Sequence, residues 1–307
     1  MRAGDEDICY LCGNFNDDTM RLDGRRQSTR VDDRRGASTG RVAGGVGLGG
    51  LVIIGLITLL LGGNPADILQ QVAQVAGTEI VSGSGRAPTA QEEELAAFTK
   101  TILASTEDVW EKIFSRYGRH YAPPQLVLYN DYVQTASGTA SASMGPFYNS
   151  ADQCVYIDLS FFSTMKQEIG ADGDFAYAYV IAHEIGHHVQ HLLGTLEQAH
   201  RQMARMSEKE SNRMSVRIEL QADFLAGVWA HYENEMFHSL EDGDLEEGIA
   251  LAAKIGDDYL QKKARGYTTP DTFNHGTSAQ RERWLLKGFR SGDLDDGDTF
   301  SPAYARL

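Results

Sequence analysis

Apolar and polar positions divide this chain into stretches of different period. The longest apolar run, Val42 to Gly63, has no charged residue and is dominated by Gly, Leu, Ile and Val. A bilayer needs about 20 such residues. Arginines crowd the side before it (Arg21, Arg25, Arg26, Arg30, Arg34, Arg35, Arg41), and no Lys or Arg follows until Arg86. The positive-inside rule then predicts a single membrane anchor over 42–63, with a cytoplasmic N-terminus and an extracytoplasmic (periplasmic or extracellular) C-terminal domain. The rival, a cleaved signal peptide, needs a small-residue cleavage site, and Gly62-Gly63-Asn64-Pro65-Ala66 is a poor one. Residues 1–41, poor in apolar side chains after Met20, read as a disordered Arg-rich segment. Residues 64–89 read as a flexible linker.

From Thr89 the periodicity turns helical. Thr89 is a cap, Glu92, Glu93 and Glu94 follow it, and Leu95, Phe98, Ile102, Val109, Trp110 and Ile113 recur at helical spacing up to Tyr117. Gln125–Tyr129 and Val155–Leu159 read as strands, with a Gly/Ser/Ala loop over 135–145. Residues 174–193 form a helix apolar on most sides, hence buried, with Gly194 as its stop. A charged helical region, 195–212, reads as a solvated face. Further helices are expected from Val216 to Trp229, over 243–265, and over Ala279 to Lys287 with Thr277 or Ser278 as cap. The predicted fold is α+β and mostly helical: a domain over 90–296 with a small β-sheet, preceded by a single transmembrane helix and followed by a loose acidic tail, 297–307.

Composition narrows the class. The 307 residues are 42% hydrophobic, enough for a core, and the net charge of −15 argues against a nucleic-acid partner. Cys9, Cys12 and Cys154 are the only cysteines, so no disulfide framework is present. Cys9-x-x-Cys12 matches half a zinc ribbon or a redox pair, but no second such pair exists.

The chemistry concentrates in the buried helix, where His183-Glu184-Ile185-Gly186-His187 spells H-E-x-x-H. Residues four apart share a helix face, so His183 and His187 can turn their imidazoles to one metal ion, while Glu184 reaches a water on that metal. His191 cannot join them: it stands roughly 12 Å from His183 along the axis, against zinc bonds of about 2 Å. The longer H-E-x-x-H-x-x-G-x-x-H pattern fails at Gln190 and Leu193. The third ligand must come from elsewhere. Glu219 and Asp223, four apart in an apolar helix, are buried carboxylates that need a partner or a metal. They read either as a zinc ligand (Glu219) and a carboxylate orienting a ligand histidine (Asp223), or as ion-paired acids held by Arg213 or Arg217. His275, in the loop before the last helix, is either an oxyanion donor or a structural histidine.

These motifs, with Gly24-Arg25-Arg26, Met144-Gly145-Pro146-Phe147-Tyr148, Val155 to Phe161, Gly243 to Glu247, Ile255 to Asp258 and His275 to Ser278, resemble the bacterial neutral zinc metallopeptidases that carry an N-terminal membrane anchor. The resemblance runs from about Met20 to Phe300. It implies a zincin-like fold, Zn2+ held by His183, His187 and Glu219, and Glu184 as catalytic base. Relatives often carry cysteines where this chain has Ser137, Asn149, Phe224 and Gly297. The expected function is a membrane-anchored zinc peptidase acting on peptide or protein substrates. The rival is an inactive anchored scaffold whose zinc is structural and closed by a fourth protein ligand.

Overall fold

The computed structural model describes residues 20–36 and 87–307. Residues 20–36 carry strand β1 (Val31–Asp33). Helix α1 (Ala90–Arg116) opens at Thr89, whose hydroxyl accepts from the Glu92 N–H while Glu92 accepts from the Thr89 N–H, so two otherwise unpaired donors are satisfied. Strand β2 (Gln125–Tyr129), the hairpin β3 (Tyr132–Thr135) and β4 (Gly138–Ser141), and strands β5 (Phe147–Asn149) and β6 (Cys154–Asp158) follow. The chain then becomes helical: α2 (Ser160–Ile169), α3 (Asp174–Leu193), α4 (Thr195–Met203), α5 (Glu208–Phe237), α6 (Asp244–Lys254), α7 (Asp257–Arg265) and α8 (Ser278–Ser291).

The main sheet has the order β1-β2-β6-β5, parallel except for β5, which runs antiparallel along one edge. Side chains alternate across it. Leu126, Leu128, Val155 and Ile157 face the helices and join the main core. Val127, Tyr129, Tyr156 and Phe147 face the β3–β4 hairpin and form a second, smaller core. The Gly/Ser/Ala composition of 135–145 predicts a loop, yet much of it folds as this hairpin, because its backbone pairs while Val133 and Ala140 cover the second core.

Helix α3 lies at the centre, packed against α1, α5 and α6. Helices α5 and α8 approach closely through paired glycines. A Cβ on Gly227 would lie 2.1 Å from the Leu285 carbonyl, and one on Gly288 2.0 Å from that of Phe224. The expected helix over 243–265 is two helices, broken where a Cβ on Gly256 would lie 2.3 Å from the Ser278 backbone N. Helix α8 starts at Thr277, which forms a capping box with Gln280.

The mostly helical α+β expectation holds, but its transmembrane part is corrected. No helix among the described residues is long and apolar enough to cross a membrane. The apolar run 42–63 lies outside the described residues, as do Cys9, Cys12 and most of the expected linker. A single crossing between residues 36 and 87 would also separate β1 from the domain, whereas β1 stands beside β2 in the same sheet.

Two further expectations change. The Arg-rich segment is ordered over 20–36 because its arginines meet fixed acceptors. Arg25 pairs with the fully buried Glu233 at 2.8 Å, Arg26 with Glu107 and Asp108, and Arg35, itself buried, with Asp33 and the Glu92 carbonyl. The tail is docked too: Arg217 donates to the Thr299 and Pro302 carbonyls, and Leu307 is buried. The four positions at which the resemblance points to cysteines fall into two contacts. The Ser137 hydroxyl donates to the Asn149 side-chain oxygen at 3.0 Å, and the Phe224 ring fills the space a Cβ on Gly297 would take. Cys154 is a free thiol.

Candidate metal centre

Helix α3 is buried continuously from Phe175 to Gln190. Gly186, inside the H-E-x-x-H motif, lets α5 come close: a Cβ there would sit 3.0 Å from the Ala222 carbonyl. That approach brings the face of α5 carrying Glu219 and Asp223 against His183 and His187. His183 Nδ1 lies 2.8 Å from Asp223 Oδ1 and its Nε2 3.1 Å from Glu219 Oε2, while His187 Nε2 lies 3.6 Å from Glu219 Oε1. One nitrogen from each histidine and one Glu219 oxygen all fall within 4.8 Å of each other, and all three residues are buried. Two imidazoles and a carboxylate are a zinc donor set. Two buried polar atoms here lack any hydrogen-bond partner, His187 Nε2 and Glu184 Oε2. Those are the atoms that a metal ion and its water would engage.

Charge supports the same reading. Burial alone would lower the His183 pKa, but the Asp223 and Glu219 carboxylates outweigh it and carry it up to about 10. Burial opposes ionisation of Glu219 as well, yet the two histidines hold its carboxyl well below the usual range. Glu219 is thus held as a carboxylate between the two imidazoles. Glu184 is different: burial pushes its pKa up. Its helix packs against the edge strand β5.

Asp223 is held by groups the sequence reading did not assign. Arg281 of α8 donates from Nε to Oδ2 and from Nη2 to Oδ1, each at 2.9 Å, and the Tyr179 hydroxyl donates to Oδ1 at 2.6 Å. After the opposing cost of burial, Arg281 and His183 bring Asp223 down to about 2. The ion partner is thus Arg281, not Arg213 or Arg217. An arginine on the same face of α8 as Trp284, Leu285 and Gly288 was the signal available for it.

His275 is buried beside this cluster but is not one of its three residues. Its charge acts on Glu219. Asp257, at the start of α7, fixes it. One Asp257 oxygen accepts the main-chain N–H groups of Asn274, His275 and Gly276 at 2.7–2.9 Å, and the other lies 3.2 Å from His275 Nδ1. Gly276, at φ 96°, permits the turn that aims three consecutive N–H groups at one acceptor. His188 points the other way: its Nε2–H donates to the Ala122 carbonyl at 2.7 Å, and Nδ1 accepts from the Tyr148 hydroxyl at 3.0 Å. Burial pushes its pKa down to about 4, so it stays neutral and ties α3 to β5.

A family model described as "Putative neutral zinc metallopeptidase" matches residues 20–300. The chain belongs to this family. The match begins at Met20, where the described structure also begins, and includes β1. Among relatives of this chain, "Uncharacterized protein YpfJ" of Escherichia coli K12 is 45% identical over 292 residues, covering 92% of this chain and 99% of the relative. "Uncharacterized protein Rv2575" of Mycobacterium tuberculosis H37Rv is 34% identical over 259 residues, covering 80% of this chain and 85% of the relative. No solved structure matches.

Proposed function

We propose that this chain is a zinc-dependent peptidase that hydrolyses peptide bonds with a water molecule, Glu184 acting as general base. The observation that carries the reading is the three-ligand cluster with a bare His187 Nε2 and an unpartnered Glu184 Oε2 beside it. Zinc in such a site acidifies a bound water and polarises a carbonyl oxygen. His183, His187 and Glu219 would hold it. Glu184 is buried and its pKa is raised, which suits a group that takes a proton from water and passes it to the leaving amine. His275, fixed through Nδ1 by Asp257, offers its other ring nitrogen to the developing oxyanion. Strand β5, the edge strand among the described residues and packed against the helix that carries Glu184, can align an extended peptide by main-chain hydrogen bonds.

A structural zinc would be closed by four protein ligands. The cluster among the described residues has three, which favours the peptidase over a scaffold.

The test compares wild type with Glu184→Gln and Glu219→Ala, using the full chain because β1 belongs to the sheet. Zinc content and cleavage of an unfolded protein are measured. Wild type and Glu184→Gln should each hold one zinc, with cleavage falling about 10²–10⁴-fold in the variant, the scale of general-base catalysis. Glu219→Ala should lose zinc. Undiminished cleavage by zinc-loaded Glu184→Gln would remove Glu184 from its role.

A further inference from the structure

We infer that Gln190 is a positioning residue for His187, acting through a directed chain of amides that fixes which ring nitrogen carries the proton. This rests on the reading of His187 as a zinc ligand. Gln190 is fully buried, and its Oε1 lies 2.9 Å from His187 Nδ1. An amide side chain can be turned either way, but its neighbours decide here. Gln190 Nε2 lies 2.8 Å from the Ile218 carbonyl and 3.1 Å from Gln221 Oε1, both acceptors. Turned over, Gln190 would set oxygen against oxygen at both contacts. Gln221 is fixed in turn, because its Nε2 donates to the Gly297 carbonyl at 2.9 Å. Polarity therefore runs from two main-chain carbonyls through the amides to the imidazole. Gln190 presents an acceptor, His187 must carry its proton on Nδ1, and Nε2 keeps a lone pair. Nε2 is the atom left without a hydrogen-bond partner in the cluster.

The two histidines are thus buttressed differently. His183 donates to a carboxylate whose charge Arg281 balances. His187 donates to a neutral amide. Glu184, Glu219 and Asp223 already crowd this buried site, and a fourth carboxylate would have no cation to offset it. An amide supplies the same acceptor without charge. The competing explanation is that Gln190 only ties α3 to α5 through the Ile218 carbonyl.

The experiment uses the full chain in three forms: wild type, Gln190→Met, which fills similar space without hydrogen bonds, and Gln190→Glu, which keeps the acceptor but loses the amide donor to Ile218. Zinc affinity is read by competition with a chelator. The His187 tautomer is read from ring ¹⁵N shifts of the metal-free protein in mildly alkaline buffer. Wild type should show Nδ1–H at His187. Folded Gln190→Met should show mixed tautomers and bind zinc about 10–100-fold more weakly, the usual scale for loss of a group that orients a ligand. Gln190→Glu should keep the Nδ1–H form and bind more tightly than Gln190→Met. A metal-free wild type with the proton on Nε2 would overturn the inference without any variant. So would equal losses in both variants, the mark of a purely structural tie. Wild type holding one zinc, with Gln190→Met binding as tightly and its ring unchanged, would overturn this inference alone. A wild type that takes up no zinc would overturn the metal reading and this inference together.

Discussion

Asp223 shows how much of the site depends on single contacts. It is fully buried, ionised, and joined to Arg281, Tyr179 and His183 at once. Replacing it by Asn keeps the shape and removes the charge, which leaves the buried Arg281 guanidinium without an anion. Breaking one side of a buried pair costs about 3–5 kcal/mol. Asp223→Asn should therefore lose stability on that scale in urea titration, and Asp223→Asn combined with Arg281→Met should recover part of it. A double variant no better than the single would show that Arg281 does not carry the cost. His183, Glu184 and His187 were legible in the sequence because a helix turn is local and their spacing carries the geometry. Glu219 was legible as an acid in an apolar helix. Arg281 and Gln221 were not, since Asp223 and Arg281 are 58 residues apart and Gln190 and Gln221 are 31 apart. No periodicity links residues on separate helices.

At the scale of elements, the N-terminus of α3 is covered by a side chain of another helix. Gly173 has no side chain to cap it, and a Cβ there would lie 1.7 Å from Glu247 Oε2. Glu247 of α6 fills that place with its carboxyl. Burial, then Asp244 and Asp174, push its pKa from 4.5 up to about 7. A carboxyl whose folded pKa is raised favours the native state while protonated, and that stability is lost as pH rises from about 4.5 to about 7. Glu247→Gln keeps the shape of the side chain and has nothing to ionise. It should melt above wild type at neutral pH and near wild type below about pH 4.5, measured by thermal unfolding across that window. Parallel melting curves at every pH would remove Glu247 as the source. The α3 helix was readable to its ends because apolar residues fill it and Gly194 stops it. Helix α2 and strand β5 were not read, since each is short, and β5 gains its pairing only from β6.

For the whole molecule, composition misled at both ends, for one reason. Residues 20–36 and 297–307 have few apolar side chains, so counting them predicts looseness. Both are held by arginines and main-chain carbonyls far away in sequence, which no local window contains. Strand β1 ends at Asp33 and helix α1 starts at Ala90, so the described body is built from two stretches of chain. The contacts that hold the first stretch are the β1–β2 pairing and the ion pairs of Arg25, Arg26 and Arg35. A protease site inserted between residues 36 and 87 and then cut should yield two peptides that still co-elute under native conditions and separate in denaturant. Separation under native conditions would mean that β1 stays in place only by its tether. If they co-elute, the molecule is in effect a heterodimer encoded as one chain, and its first strand could be supplied as a free peptide to a chain that lacks it.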